Sequence, residues 1–376
     1  MLLINWSRTA CKEAGLARDE VYEELRRKLD TYVTSCPEAP EIYEILSLLF
    51  TPEEARLACS LAFVERPLGQ VARRAGVDEP GASEMLEVMA DRGVIFSREK
   101  EGERRYRLLP VMPGLFEFPF MRGERNELTE SLSALWNAYM PLVGRDFATE
   151  GMPMARVLPV QEEVESQPGV LTYEMIYDMI DRARVVGIAH CACRESERRC
   201  DAPTEACMVF DDACDFLVER GFARYLTRDE MKARLRELDE AGLVHQVNNS
   251  QDKLTLICNC CPCCCHLLRA ATEFGNPFAI GASGFVPVVD ADVCVGCATC
   301  ADERCPMGAM TVGEVAAVDE ALCIGCGLCA TGCPEKALTL RRREGVPEPA
   351  ATTRDMGLKI LGDKGKLEAF IELNTG

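Results

Sequence analysis

The sequence predicts an α+β multidomain protein, and three observations carry that prediction. Apolar residues recur at helical spacing through the front of the chain. Short apolar runs then alternate with helical stretches through the middle. Cysteine is almost confined to the back half: Cys11, Cys36 and Cys59 precede residue 190, and the rest of the 22 fall between Cys191 and Cys333. At 376 residues the chain has room for more than one core.

Residues 1–50 read as a helical lead-in. "ARDEVYEELRRKLDTYV" places Val21, Leu25 and Leu29 on one face, and "PEIYEILSLLF" continues the pattern. A unit over 51–125 follows. In "TPEEARLACSLAF", Thr51 is the expected N-cap, Pro52 takes the first helical position and acids fill the first turn. "LGQVARRAG" closes at Gly76. "VDEPGASEMLEVMADRG" opens at Asp78 and stops at Gly93, with Ala82, Met85, Leu86, Met89 and Ala90 on its apolar face. "VIFSREKEGERRYRLL" reads as two strands around Gly102.

Three helices followed by a hairpin resemble a winged helix-turn-helix domain over about residues 51–110. The exposed face of the would-be recognition helix carries Glu79, Glu84, Glu87 and Asp91, where a major-groove reader needs Arg, Lys, Asn or Gln. The net charge of −19 also argues against duplex DNA as a main partner. The hairpin is basic at Arg98, Lys100, Arg104, Arg105 and Arg107, which leaves phosphate contact open. The expected role is docking, of a partner or of a second copy in a homo-oligomer.

Next, "PVMPGLFEFPFMRG" reads as an extended crossover packed on a core, and "ELTESLSALWNAYMPLV" as a helix. "ARVLPVQ" and "ARVVGIAH" are short apolar runs on either side of the helical "YEMIYDMIDRA", which suggests a strand–helix–strand unit. "TRDEMKARLRELDEAGLVH" is a helix ending at Gly242, and "KLTLICNCC" a strand. Residues 126–285 therefore form an α/β cysteine-rich middle. Residues 286–342 form a cysteine repeat, and 343–376 a tail with a loop and a short helix near Leu358–Phe370.

The repeat has the most specific signal. "CIGCGLCATGCP" supplies Cys323, Cys326, Cys329 and Cys333 as C-x2-C-x2-C-x3-C-P. "CVGCATCADERCP" supplies Cys294, Cys297, Cys300 and Cys305, with one more residue before its last cysteine. This resembles the bacterial-type ferredoxin domain with two [4Fe–4S] clusters. The resemblance implies that the fourth cysteine of each run reaches across. One cluster would take Cys294, Cys297, Cys300 and Cys333, and the other Cys323, Cys326, Cys329 and Cys305. The implied work is one-electron transfer at low potential.

The middle cysteines are less familiar. "HCACRESERRCDAPTEAC" supplies Cys191, Cys193, Cys200 and Cys207. "CNCCPCCCH" supplies Cys258, Cys260, Cys261, Cys263, Cys264 and Cys265. Each group ends an expected strand, so the two groups are expected to meet at one sheet edge. Thiolate-only sites select Fe–S, zinc or Cu(I). At least one further Fe–S cluster is the favoured occupant, with zinc, a reactive dithiol or plain packing as alternatives. Neighbouring side chains on an extended strand point opposite ways, so the run must split between faces or clusters. Cys214 is expected to be a packed thiol. His190 and His266 flank the groups as expected supports rather than ligands, and Arg194 and Arg269 offer positive charge.

The whole arrangement resembles dicluster-ferredoxin proteins of anaerobes, over about residues 40–342. It implies an iron–sulfur electron-transfer subunit serving a partner oxidoreductase. A redox- or metal-sensing winged-helix regulator, or a reductase with chemistry at a middle cluster, are the alternatives. No Walker loop, no GxGxxG after a strand and no Cx3CxxC occurs. No Lys/Arg-led apolar segment opens the chain, and no run of about 18 apolar residues occurs. The expectation is a cytoplasmic chain without membrane insertion, whose thiols serve metal or redox chemistry rather than disulfides.

Overall fold

The computed structural model describes residues 15–164, 174–252 and 254–375, so Cys11 lies outside the described residues. The front holds helices α1 (Gly15–Asp30), α2 (Pro40–Leu49), α3 (Pro52–Ser60), α4 (Leu68–Ala75) and α5 (Glu79–Asp91), with strands β1 (Arg66–Pro67), β2 (Ile95–Lys100) and β3 (Glu103–Leu108). Local chemistry sets their ends. Thr51 accepts the N–H of Glu54, and the Glu54 carboxylate accepts the N–H of Thr51, a reciprocal cap on α3. Asp78 caps α5 through the Gly81 N–H. Gly76, with φ of 69°, turns the chain out of α4 in a conformation that disfavours a Cβ. The strands form an antiparallel sheet in the order β1-β3-β2.

The basic hairpin folds back on the molecule's own acids. Arg104 pairs with Glu87 at 3.1 Å and Glu219 at 2.7 Å. Arg98 pairs with Glu65 at 2.8 Å and with Asp212. Arg107 lies 4.3 Å over the Phe96 ring. The Phe- and Pro-rich segment, expected as an extended crossover packed on a core, is extended at Met112 and Pro113 and turns at Val111–Leu115 and Phe118–Phe120, with Val111, Met112, Leu115, Phe116 and Phe120 buried. Phe116 packs edge-on to Trp136 of α6 (Glu127–Gly144), which holds the segment coiled against the core.

The middle is built on a seven-stranded sheet. In chain order it comprises β4 (Ala155–Leu158), α7 (Gln161–Val164), α8 (Ile176–Arg182), β5 (Val186–His190), α9 (Ala192–Glu197), β6 (Glu205–Phe210), α10 (Asp211–Glu219), β7 (Arg224–Leu226), α11 (Arg228–Glu240), β8 (Val244–Asn248), β9 (Leu256–Cys260), α12 (His266–Thr272) and β10 (Ile280–Gly281). The strand order is β10-β4-β8-β9-β6-β5-β7. Only the short β10–β4 pair is parallel. The expected strand–helix–strand unit is corrected here, because β8, β9 and β6 separate β4 from β5. One face of the sheet shares a continuous core with the front helices and α6. The other face is covered by α8 and α11 through Ile176, Ile180, Met231 and Leu235.

The last part holds β11 (Phe285–Val289), β12 (Met310–Val312), β13 (Ala316–Val318), α13 (Leu328–Thr331) and β14 (Leu338–Arg342), with β11 paired to β14 and β12 to β13. The tail forms two helices, α14 (Thr353–Asp363) and α15 (Leu367–Thr375), and returns to the front. Lys364 donates to the Val33 carbonyl at 2.6 Å, and Lys366 to that of Asp30 at 2.8 Å. These cations sit at the C-terminal end of α1, where free carbonyls favour positive charge. Asn374 accepts the N–H groups of Phe63 and Val64. Among the described residues no helix is long and apolar enough to cross a membrane. The whole is a mixed α+β protein with several sheets.

Candidate metal centre

The eight repeat cysteines line two separate pockets. Cys294, Cys297, Cys300 and Cys333 line the first, with Val312, Ala316 and Leu338 as apolar wall. Cys305, Cys323, Cys326 and Cys329 line the second, with Pro287, Met307 and Ile324. Each pocket thus draws three cysteines from one run and a fourth from the other. Backbone N–H groups aim at the sulfurs: Ala316 to Cys294 at 3.4 Å, Ala309 to Cys305 at 3.2 Å, Gly325 to Cys323 at 3.4 Å and Ala337 to Cys333 at 3.3 Å. Soft donors, apolar walls and N–H···S contacts fit an iron–sulfur cluster in each pocket.

The two pockets differ in setting. Cys297 is exposed, and the neighbouring Val295 is 65% exposed, so the first pocket opens to solvent. The second faces the middle of the molecule. Cys326 is buried, and its carbonyl accepts the Val160 N–H at 3.0 Å. Cys326, Ile324 and Leu328 belong to the same core as Cys260 and Cys265, and Met307 packs against it. Arg304 occupies the lengthened gap before Cys305. It donates to the carbonyls of Asp239 and Glu240 at the end of α11, and to that of Leu328, each at 3.1 Å.

The ten middle cysteines are brought together, in two sets. Pairing across the sheet places Cys207 on β6 opposite Cys258 on β9. Cys258 and Cys260 alternate on β9, so they share a face. Their thiols form a string of neighbours with those of Cys191, Cys193, Cys207 and Cys265. Cys193 neighbours both Cys191 and Cys265, Cys260 neighbours both Cys258 and Cys265, and Cys207 neighbours Cys258. Interaction between these neighbouring thiols lowers the pKa of Cys191, Cys258 and Cys265 and raises that of Cys193, Cys207 and Cys260. This set packs with the core shared with the front helices.

Cys261, Cys263 and Cys264 follow β9 and pack with the opposite core, where Cys200 meets them. The Cys200 sulfur is 3.6 Å from that of Cys261 and 3.9 Å from that of Cys264, and the Cys263 and Cys264 sulfurs are 3.8 Å apart. All four lie within 4.8 Å of one another. Donation from Cys264, aided by the charge of Arg194, brings the Cys261 thiol down to about 5.

Arg194 sits between the sets. It is 2% exposed, and its Nη1 donates to the Asn259 carbonyl at 2.9 Å and approaches the Cys261 sulfur at 3.8 Å. Arg269 is instead tied to Glu197 and Glu273. His266 is fully buried, edge-on to Phe116 at 4.9 Å, and burial pushes its pKa down to about 3. His190 places Nδ1 3.1 Å from the Thr204 hydroxyl. Cys36, Cys59 and Cys214 stand apart as packed thiols whose pKa burial raises to about 12. Arg304 is the residue that sequence reasoning passed over, although the extra residue before Cys305 was a visible signal of a special loop.

A family model described as a 4Fe–4S binding domain matches residues 315–338, which hold Cys323, Cys326, Cys329 and Cys333. No curated protein and no solved structure matches the chain. The chain therefore carries a 4Fe–4S binding domain and a cysteine cluster in its middle. Together they point to iron–sulfur electron transfer.

Proposed function

We propose that this chain is an electron-transfer protein with two [4Fe–4S] clusters and one further Fe–S cluster, passing single low-potential electrons to or from a partner oxidoreductase. The observation that carries the reading is the exchange of ligands, three cysteines of each pocket coming from one run and the fourth from the other. Bound clusters supply reversible one-electron chemistry. Cys294, Cys297, Cys300 and Cys333 would hold one, and Cys305, Cys323, Cys326 and Cys329 the other. Cys191, Cys193, Cys207, Cys258, Cys260 and Cys265 would supply the ligands of the third.

The chain's own residues define the direction of contact. The solvent-open first pocket, with Val295 beside it, is the face for the partner. Met307 and Ile324 join the second pocket to the core that contains the six-thiol string. The winged-helix-like unit acts as a dock rather than a DNA reader, because Arg98 and Arg104 are committed to Asp212 and Glu219. A cytoplasmic location goes with reduced thiols on this reading.

Iron and acid-labile sulfide per anaerobically purified chain test it. About twelve of each are expected, falling by about four in Cys260→Ser. About eight, unchanged in the variant, would remove the third cluster. Values well below eight would remove the two-cluster assignment itself.

A further inference from the structure

Four of the ten middle cysteines have a geometry of their own. Among the described residues, Cys200, Cys261, Cys263 and Cys264 are the one group of such ligand atoms gathered within 4.8 Å of one another. Three of their sulfur pairs are 3.6, 3.8 and 3.9 Å apart. A tetrahedral ion with metal–sulfur bonds of about 2.3 Å puts its four sulfurs roughly 3.8 Å from one another. A cubane binds one thiolate at each of four iron corners and spreads them to roughly 6 Å or more. The quartet therefore has the spacing of a single ion and is too tight for a cluster.

The surroundings agree. The backbone N–H groups of Cys264 and Arg199 act on the Cys261 and Cys264 thiols to favour the thiolate. These are the backbone donors that a turn wrapped around a metal supplies. Four thiolates around a divalent ion carry a net charge of about −2, which is costly to bury without compensation. Arg194 provides it: the guanidinium is 2% exposed, reaches Cys261 at 3.8 Å, and its Nε and Nη2 have no hydrogen-bond partner among the described residues.

We propose that Cys200, Cys261, Cys263 and Cys264 form a structural zinc site, separate from any iron–sulfur cluster. The sulfur spacing selects a single tetrahedral ion over a cluster, and zinc is the ion that occupies closed four-thiolate structural sites. All four positions are filled by protein, so the site is closed and offers no place for substrate. Its work is to staple the loop before β6 to the turn after β9. That fixes Cys260 and Cys265, which flank the turn and face the opposite side of the sheet. The inference stands on the quartet alone and does not depend on the electron-transfer reading.

The test is metal analysis with zinc-edge X-ray absorption on the anaerobically purified full chain. About one zinc per chain is expected, with four sulfur neighbours at about 2.3 Å and no iron nearby. Cys200→Ser should lose that zinc, and Cys200→His should retain zinc as a three-sulfur, one-nitrogen site. Absence of zinc from the wild-type chain, or zinc bound by ligands other than sulfur, would each overturn the proposal. The wild-type spectrum decides the matter even if Cys200→Ser fails to fold.

Discussion

Arg304→Ala should loosen the second pocket from the body of the protein. The guanidinium bridges Leu328, beside that pocket, to Asp239 and Glu240 at the last turn of α11, with three donated bonds of 3.1 Å. A hydrogen bond from a charged donor is worth about 1.5–3 kcal/mol when buried, and less where solvent competes. Arg304 is half-buried, so about 1 kcal/mol for each bond is appropriate. The favourable placement of a cation at a helix C-terminus is already contained in the two bonds to α11. The sum is roughly 3 kcal/mol, which corresponds to an opening equilibrium roughly 100-fold more populated. The assay is iron release into an excess of chelator under argon, in the regime where release follows local opening. The variant should release iron from one cluster about two orders of magnitude faster. Arg304→Lys should recover only part of the loss, since an ammonium lacks the planar fork. Release accelerated less than about five-fold in Arg304→Ala would show that the contact is incidental.

Two further perturbations probe the frame around the site. Lys28 is buried and donates to the Cys59 carbonyl, and burial lowers its pKa from 10.5 to about 8. Below about pH 8 the folded chain carries this buried charge, whereas the unfolded lysine stays protonated up to about 10.5, so the penalty is full at pH 7 and fades as pH rises between those values. That span is worth roughly 3 kcal/mol. Lys28→Met should therefore stabilise by about 2 kcal/mol at pH 7 after forfeiting one hydrogen bond, with the gain vanishing near pH 10.5. Thermal unfolding of both chains at the two pH values checks this, and a gain independent of pH would contradict it. Gly325→Ala should disrupt the second pocket, because at φ of 68° a Cβ would lie 2.2 Å from both the Phe285 carbonyl oxygen and the Ser283 hydroxyl. The left-handed backbone alone costs about 1–2 kcal/mol and the overlap adds more. Iron per chain should fall by about four, and an unchanged iron content would show that the loop can move aside.

Local chemistry made much of the fold legible. The ends of α3, α4 and α5 follow from Thr51, Gly76 and Asp78, whose capping groups act within three residues of themselves. The repeat spacing brought out the eight cysteines that line the two pockets, because a C-x2-C-x2-C loop is itself a local object. Alternation along β9 likewise anticipated that "CNCCPCCCH" divides between two faces. What stayed hidden was long-range. Nothing in "ARVLPVQ" states that β4 pairs with β8 rather than β5, since both choices bury the same apolar side chains. The arginines of the β2–β3 hairpin read as free positive charge, because Asp212 and Glu219 lie more than a hundred residues away. The spacing that separates Cys200, Cys261, Cys263 and Cys264 from the other six depends on how the turn after β9 meets a loop some sixty residues earlier.

The return of the tail to α1 sets an order for biosynthesis. Lys364 meets Val33 across 331 residues, and Lys366 meets Asp30 across 336. A ribosome delivers every cysteine of the chain, up to Cys333, before it delivers either lysine. Contacts of such separation are also the last that loop closure favours. The nascent chain therefore presents the thiols up to Cys333 while the end of α1 still lacks its cationic clasp. Substitution of Lys364 and Lys366 would act on that fastening rather than on the cysteines themselves.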